Sequence, residues 1–420
     1  VSDAPLTLDV ERLTYGGDAL ARHDGQVVFI PYAAAGDRVV AVPYERRPHF
    51  LRATLTTVLS PGPDRVPPAC DVFGVCGGCQ WQHVDATAQR VAKTAIVAEQ
   101  LARLGGLRDV PVLPTLAGDT WRYRARIALA IDGDRIGYRR ARSHQLIAID
   151  DCPIAAPALS AHIPVVRRWV AALRSTPERV TIAAAPEGVV LVASVRSRPS
   201  DADRATSDAL LAAEPGVRGV VLAGGGARLT LGDPIVHVLP EPDLVLEVPA
   251  DVFAQVHPAA NLALVATVLD FAAPVAGTTA LDLYCGAGNF ALPLARRGVR
   301  VHGIEQSGVA ADAARSNASR LGLDGATFDA GDVTSALATW RDRSLDLVVL
   351  DPPRAGAAGP LPHIAACRAP RIVYVSCDPA TLARDARALA GLGYRLARVQ
   401  PVDLFPQTYH IESVAEFLLT

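Results

Sequence analysis

The sequence predicts a multidomain α/β protein. An N-terminal OB-like β-barrel covers residues 1–60, a mixed α+β region 61–250, and a doubly wound sheet 251–420. Three observations predict this. Residues 6–60 alternate polar and apolar in short bursts, "LTLDVERL", "GQVVFIPYA", "DRVVAVPYERR" and "FLRATLTTVLS", with Gly and Pro turns between them. That is the pattern of about five half-buried strands closing into a small barrel. The Pro-rich stretch "SPGPDRVPPAC" then breaks the chain. From about residue 255 the pattern becomes apolar strand, turn, helix, repeated, which is how a doubly wound sheet is written.

The 420 residues suit two to three domains, and half of them are hydrophobic, ample for real cores. The formal charge of −2 excludes a globally basic nucleic-acid coat, so any nucleic-acid contact needs local patches. Lys93 is the only lysine; every other basic residue is Arg. The opening "VSDAPLTLDVERL" carries acids and no apolar core, so no signal peptide is expected. No apolar run reaches transmembrane length. Seven cysteines in a chain of this kind argue for metal binding or catalysis over disulfides, and for a cytoplasmic protein.

After the linker, "VDATAQRVAKTAIVAEQLARLGGL" predicts a helix capped by Asp85 and closed by Gly105 and Gly106. "YRARIALAI" and "RIGYRRARSHQLIAID" predict a hairpin, and "DLVLEVPADVF" a late strand. In the C-terminal region "NLALVATVLDFA" is helical. "TTALDLYCGAGNF" places Gly286 and Gly288 directly after a strand and before a helix, where backbone can approach a ligand closely. The next strand ends in Glu305, placed to accept bonds from ribose hydroxyls. The strand after that ends at "AGDV", where Asp332 can meet an adenine amino group. "VVLDPPRAG" is a stiff strand-end loop with few free N–H groups. In methyltransferases that act on amino groups an aromatic residue usually follows such prolines; here it is Arg354.

Two sets of cysteines carry chemistry. "CDVFGVCGGCQWQH" spaces Cys70, Cys76 and Cys79 as C-x5-C-x2-C, and Cys152 of "IDDCPI" is a distant fourth. Zinc and an iron–sulfur cluster both accept four thiolates; the single C-x2-C knuckle and the odd spacing favour iron–sulfur. In "YVSCDPATLARD" Cys377 ends an apolar strand and precedes a helix. That is the sheet edge where open α/β folds put their chemistry. Cys285 and Cys367 read as packed thiols.

Together these pieces resemble the uracil-C5 RNA methyltransferase family, and within it the iron–sulfur branch that modifies large-subunit ribosomal RNA. The resemblance rests on "CDVFGVCGGCQWQH" with Cys152, "DLYCGAGNF", "LDPPRAG", "YVSCDPATLARD" and "HIESVAEF", in that order along nearly the whole chain. It implies a TRAM barrel at the N-terminus and a 4Fe-4S cluster on Cys70, Cys76, Cys79 and Cys152. It also implies a Rossmann-like domain binding S-adenosylmethionine (SAM), with residues 84–116 folded against it. Matched by motif, it implies cofactor contacts at Gln255, Tyr284, Asn289, Glu305, Asp332 and Asp351. The family pattern F-x-Q-x-N reads "FAQVH" here, and His257 is expected to cap or lie near the following helix.

The chemistry implied is covalent. Carbon 5 of uracil is a poor nucleophile until a thiolate adds to carbon 6 and makes an enolate. Cys377 is then the nucleophile, and Glu412 of "HIESVAEF" the base that removes the carbon-5 proton. For RNA contacts the sequence offers Arg122, Arg124, Arg126, Arg135, Arg139, Arg140 and Arg142, with Tyr123 and Tyr138 interleaved, and the barrel itself. The expectation is a monomeric cytoplasmic enzyme acting on 23S rRNA. The rival expectations are a tRNA uracil-C5 methyltransferase, an enzyme methylating an amino or 2′-hydroxyl group, and a non-catalytic RNA-binding iron–sulfur protein.

Overall fold

A computed structural model describes residues 4–133, 135–340 and 344–420. Five strands between Leu6 and Ser60 close into a barrel, with the first strand antiparallel to both the second and the fourth. Their inward residues, among them Leu8, Val10, Val28, Ile30, Val39 and Leu51, are buried, as the period-two pattern requires. Buried Asp37 ties the barrel to the linker. It accepts from the N–H groups of Ala34 (2.6 Å) and Gly62 (2.8 Å) and pairs with Arg65 (2.7 Å).

The helix Ala86–Gln100 is capped by Asp85, whose Oδ1 accepts from the Thr87 and Ala88 N–H groups. Such a cap is worth about 1 kcal/mol. One wider turn follows, and Gly106 ends it at φ 71°. The helix shares one apolar core with the barrel and the C-terminal sheet. Val112 and Leu116 then run parallel to Val399 and Val402 at that sheet's edge.

A second sheet of seven strands spans Arg126 to Gly232. Its strands Arg126–Asp132 and Arg135–Arg139 form the hairpin expected from the sequence. The strands Gly188–Val195 and Val217–Gly224 are parallel, joined through the helix Asp201–Ala213. The hairpin Ile235–Glu241 with Leu244–Pro249 stands apart from this sheet. Its buried face (Val236, Leu246, Val248) joins the core formed around the helix Pro258–Ala272.

The C-terminal sheet runs, in spatial order, Ala326–Ala330, Arg300–Glu305, Thr279–Leu283, Leu347–Leu350, Arg371–Ser376, Glu412–Leu419 and Tyr394–Val402. The first five are parallel and Glu412–Leu419 is antiparallel to both its neighbours. The reversal matters: it puts the beginning of Glu412–Leu419 at the same edge as the ends of the parallel strands. Ser376 pairs with Ser413, so Cys377 and Glu412 emerge side by side. No helix among the described residues is long and apolar enough to cross a membrane.

Candidate active site

The site is built on the carboxyl edge of the C-terminal sheet, where the strand order reverses between Thr279–Leu283 and Leu347–Leu350. Gly286 and Gly288 take positive φ (54° and 96°), which lets the turn fold back tightly without a side chain in the way. Tyr284, a non-glycine at φ 64°, begins that turn. Glu305 buttresses it: one carboxylate oxygen accepts from the Gly286 N–H (3.1 Å) and the other from the Ser307 N–H (2.7 Å).

A cavity beside the turn is lined by Gln255, Phe253, Tyr284, Asn289 and Asp351. Asn289 is fixed by a reciprocal amide pair with Asn261 (2.9 and 3.1 Å), a partner that no motif in the sequence marks. Asp332 lies outside this lining. It caps the helix Val333–Leu337, accepting from the Ser335 N–H. His257 caps the helix Pro258–Ala272: its Nδ1 accepts from the Ala260 N–H, Nε2 donates to the Asp119 carbonyl, and its ring stacks on Tyr123. Those roles hold it as a neutral ring, and burial lowers its pKa.

Cys377 is half-buried at the end of its strand. Burial, then the charges of Glu412, Asp351 and Asp378, push its thiol up to about 12, with Arg354 pulling the other way. Glu412 is 3% exposed, and burial followed by the Asp351 charge raises its pKa well above the usual carboxylate range. Asp351 is raised by burial as well. Two carboxyls that repel one another cannot both ionise freely, so the charged form of each is disfavoured. Sequence reasoning misses Asp282, wholly buried one residue before the end of its strand, where burial raises its carboxyl well above the usual range. Its one signal is an acid inside the apolar run "ALDLYCG".

The loop that carries Cys377 is fastened from three sides. Asp378 Oδ1 caps the helix Pro379–Gly391 through the Ala380 and Thr381 N–H groups (both 3.0 Å). Its other oxygen accepts from the Tyr15 hydroxyl of the barrel (2.7 Å) and from Arg354 Nε (3.3 Å). Arg354, where amino-methylating enzymes usually carry an aromatic, is therefore the ion-pair partner of Asp378, next to Cys377.

Comparison with known proteins agrees with this geometry. Residues 233–419 match the family model described as tRNA (Uracil-5-)-methyltransferase, and residues 5–56 match the TRAM domain. A protein of Alkalilimnicola ehrlichii named 23S rRNA (uracil(1939)-C(5))-methyltransferase RlmD is 37% identical over 98% of this chain and 96% of its own. One of the same name from Aeromonas salmonicida is 35% identical, again over 98% and 96%. The chain belongs to the RNA uracil-C5 methyltransferase family. A crystal structure of Pyrococcus abyssi tRNA (uracil-54, C5)-methyltransferase with S-adenosyl-L-homocysteine shares the fold of this methyltransferase. It superposes with a TM-score of 0.75 at 23% identity, covering 98% of this chain and all of the other.

In this uracil-C5 methyltransferase the four sequence-selected cysteines also meet. Cys70, Cys76, Cys79 and Cys152 line one cavity of about 220 Å3, together with Arg124 and Tyr138. Burial pushes the Cys79 thiol up to about 12. Among the described residues no group of three or more His, Cys, Asp or Glu side chains is arranged to hold a metal ion.

The arginine patch divides. Arg139, Arg140 and Arg142 are exposed, but Arg124 and Arg126 are half-buried. Arg126 donates to the Val252 (2.6 Å) and Ala250 carbonyls, and Arg124 lines the cysteine cavity. The two tyrosines are not free platforms for bases either. Tyr123 is buried with its hydroxyl on the Pro406 carbonyl, and the Tyr138 hydroxyl is 3.9 Å from Cys152 Sγ. Alternation along Arg126–Asp132 sends Ile127, Leu129 and Ile131 into the core and leaves Arg126 half-buried on the opposite face.

Proposed function

We propose that this enzyme methylates carbon 5 of one uridine in 23S ribosomal RNA. The observation that carries the choice of RNA is the end-to-end similarity, at 35–37% identity, to relatives named for that substrate. Cys377 adds to carbon 6 of the flipped uracil, which leaves electron density on carbon 5. Carbon 5 then takes the methyl group from the sulfonium of SAM. Glu412 accepts the carbon-5 proton, and elimination frees Cys377. A carboxyl whose pKa is raised by burial is a stronger base at the moment of transfer than a solvated one. Gln255, Tyr284, Asn289, Glu305, Asp332 and Asp351 would hold the cofactor in this reading, and a bound sulfonium, being positive, would offset the carboxylates that keep the thiol protonated.

Barrel 1–60 and central region 61–250 receive the RNA, and 251–420 carries the chemistry, with 84–116 seated on it. A cleft lined by Asp18, Tyr32, Gln80, Arg140, Arg142 and Tyr409, of about 380 Å3, supports an RNA path across all three parts. Cys70, Cys76, Cys79 and Cys152 would hold a 4Fe-4S cluster. That all four thiols line one cavity supports the reading. Such a cluster supplies a covalent tie between the segment 70–79 and the segment at 152.

The deciding experiment incubates wild type, Cys377→Ala and Glu412→Gln with SAM and either a 23S rRNA fragment or tRNA, then runs denaturing gels. Cys377→Ala is expected to give neither product nor adduct. Glu412→Gln is expected to stall as a methylated covalent complex with the rRNA fragment. Normal turnover by Cys377→Ala would favour amino or hydroxyl methylation, and product only with tRNA would move the substrate.

A further inference from the structure

The chain has one lysine among its 41 Lys and Arg residues, and that lysine is wholly buried. Lys93 Nζ lies 2.6 Å from Asp403 Oδ1, 3.0 Å from the Phe405 carbonyl and 5.8 Å above the Trp81 ring. An ammonium offers three donors in a compact tetrahedron; the planar fork of Arg would not fit three such neighbours at once. One turn earlier on the same helix face is Gln89. Its Oε1 accepts from the Gln407 N–H (2.9 Å), and its amide nitrogen donates to Gln407 Oε1 and to the carbonyls of Trp81 and Val84.

The contacts to Asp403, Phe405 and Gln407 converge on one loop, residues 403–411. The Gln407 carbonyl accepts from the N–H groups of Gln80 and Trp81, immediately after Cys79 (both 3.0 Å). Gln407 itself sits at φ 68°, a conformation a non-glycine keeps only when its surroundings fix it. Tyr123 holds the neighbouring carbonyl, that of Pro406. So the loop is gripped by the helix Ala86–Gln100 and by the end of the cysteine segment, neither of which belongs to the C-terminal sheet. It carries Tyr409, a hydrogen-bond partner of Arg354, and runs directly into Glu412.

We propose that Lys93 and Gln89 are positioning residues for proton removal: they clasp the 403–411 loop so that Glu412 meets the carbon-5 proton. This rests on the reading of Glu412 as the base. Cys377 and the cofactor turn lie on other strands, so addition and methyl transfer do not depend on the clasp to the same degree. Loss of the clasp should slow elimination selectively, by about 10²-fold for a base misplaced by an ångström.

Lys93→Met alone leaves Asp403 buried without its partner and can fail to fold, so the test uses Lys93→Met with Asp403→Leu, which removes both charges. The holoenzyme is mixed with SAM and a 23S rRNA fragment for a single turnover. Adduct formation and product release are followed separately on denaturing gels beside Glu412→Gln. The expected result is adduct formation within about threefold of wild type and a methylated adduct that persists about 10²-fold longer. Equal slowing of both steps, or release at the wild-type rate, overturns the proposal. An adduct in Glu412→Gln with none persisting in the double variant overturns the clasp alone; wild-type release by Glu412→Gln overturns the base reading and the clasp with it. A second measurement does not use activity. In Gln89→Leu the sole lysine remains as a reporter, and its acylation by an amine-reactive ester, mapped by mass spectrometry, should rise about tenfold as the loop opens. Protection equal to wild type overturns the clasp.

Discussion

Replacing Tyr15 with Phe removes one oxygen atom at the joint between the barrel and the loop that carries Cys377. The hydroxyl donates to Asp378 Oδ2 at 2.7 Å, and the Asp378 side chain is only 7% exposed. A hydrogen bond to a charged acceptor contributes about 1.5–3 kcal/mol net. Arg354 stays on the same oxygen and the helix cap on the other, so the loss should lie near the lower end, about 1.5 kcal/mol. The pH dependence gives the sharper test. Burial alone would raise the Asp378 carboxyl, but the Thr381 N–H, the Tyr15 hydroxyl and Arg354 outweigh it and hold its pKa below the usual Asp value. A carboxyl depressed in the folded state contributes stability that is present above the unfolded value, about 3.9, and is lost as pH falls through the folded one. The Tyr15 share of that stability must follow the same course. Denaturant unfolding of wild type and Tyr15→Phe should therefore differ most above pH 4 and converge below it. Adduct formation by Cys377 should also slow, since Asp378 is its neighbour. Equal midpoints at pH 7, or a gap that stays constant down to pH 3, would refute this account of the joint.

Other outcomes follow from the same geometry. Protein purified without oxygen should be brown with about four irons per chain, and Cys152→Ser should lower both iron content and folded yield; colourless protein with one zinc would remove the cluster. Arg139→Ala with Arg140→Ala should lessen the salt slope of RNA binding by about 0.7–0.9 for each phosphate no longer neutralised, while SAM affinity holds; an unchanged slope would make these two arginines a solvated surface. Because the Cys377 thiol is raised to about 12, its thiolate fraction grows about tenfold per pH unit through the neutral range. The rate of adduct formation in quenched-flow experiments should climb accordingly from pH 6 to 8, and a flat profile would mean the bound complex had already ionised the thiol.

What the sequence determined by itself is what depends on neighbours along the chain. Alternation over 6–60 specifies half-buried strands, because a strand's side chains change face at every residue. The glycine turn after "LDLYC" and the thiol after "YVS" sit at strand ends that apolar runs and helix caps mark locally. Glu412 was different: a late acid in an apolar strand carries no local signal, and only the family pattern singled it out. Its setting came from the antiparallel insertion of Glu412–Leu419 beside Arg371–Ser376, a pairing across some forty residues that alternation cannot choose. Tertiary packing alone turned Arg124 and Arg126 inward where a patch was expected, and brought Cys152 to Cys70, Cys76 and Cys79. It also joined Tyr15 to Asp378 and buried Lys93 against Asp403. Each of these unites groups far apart in sequence, and the match of a buried charge to its partner is decided by the layers that exclude water from both, not by the residues on either side of it.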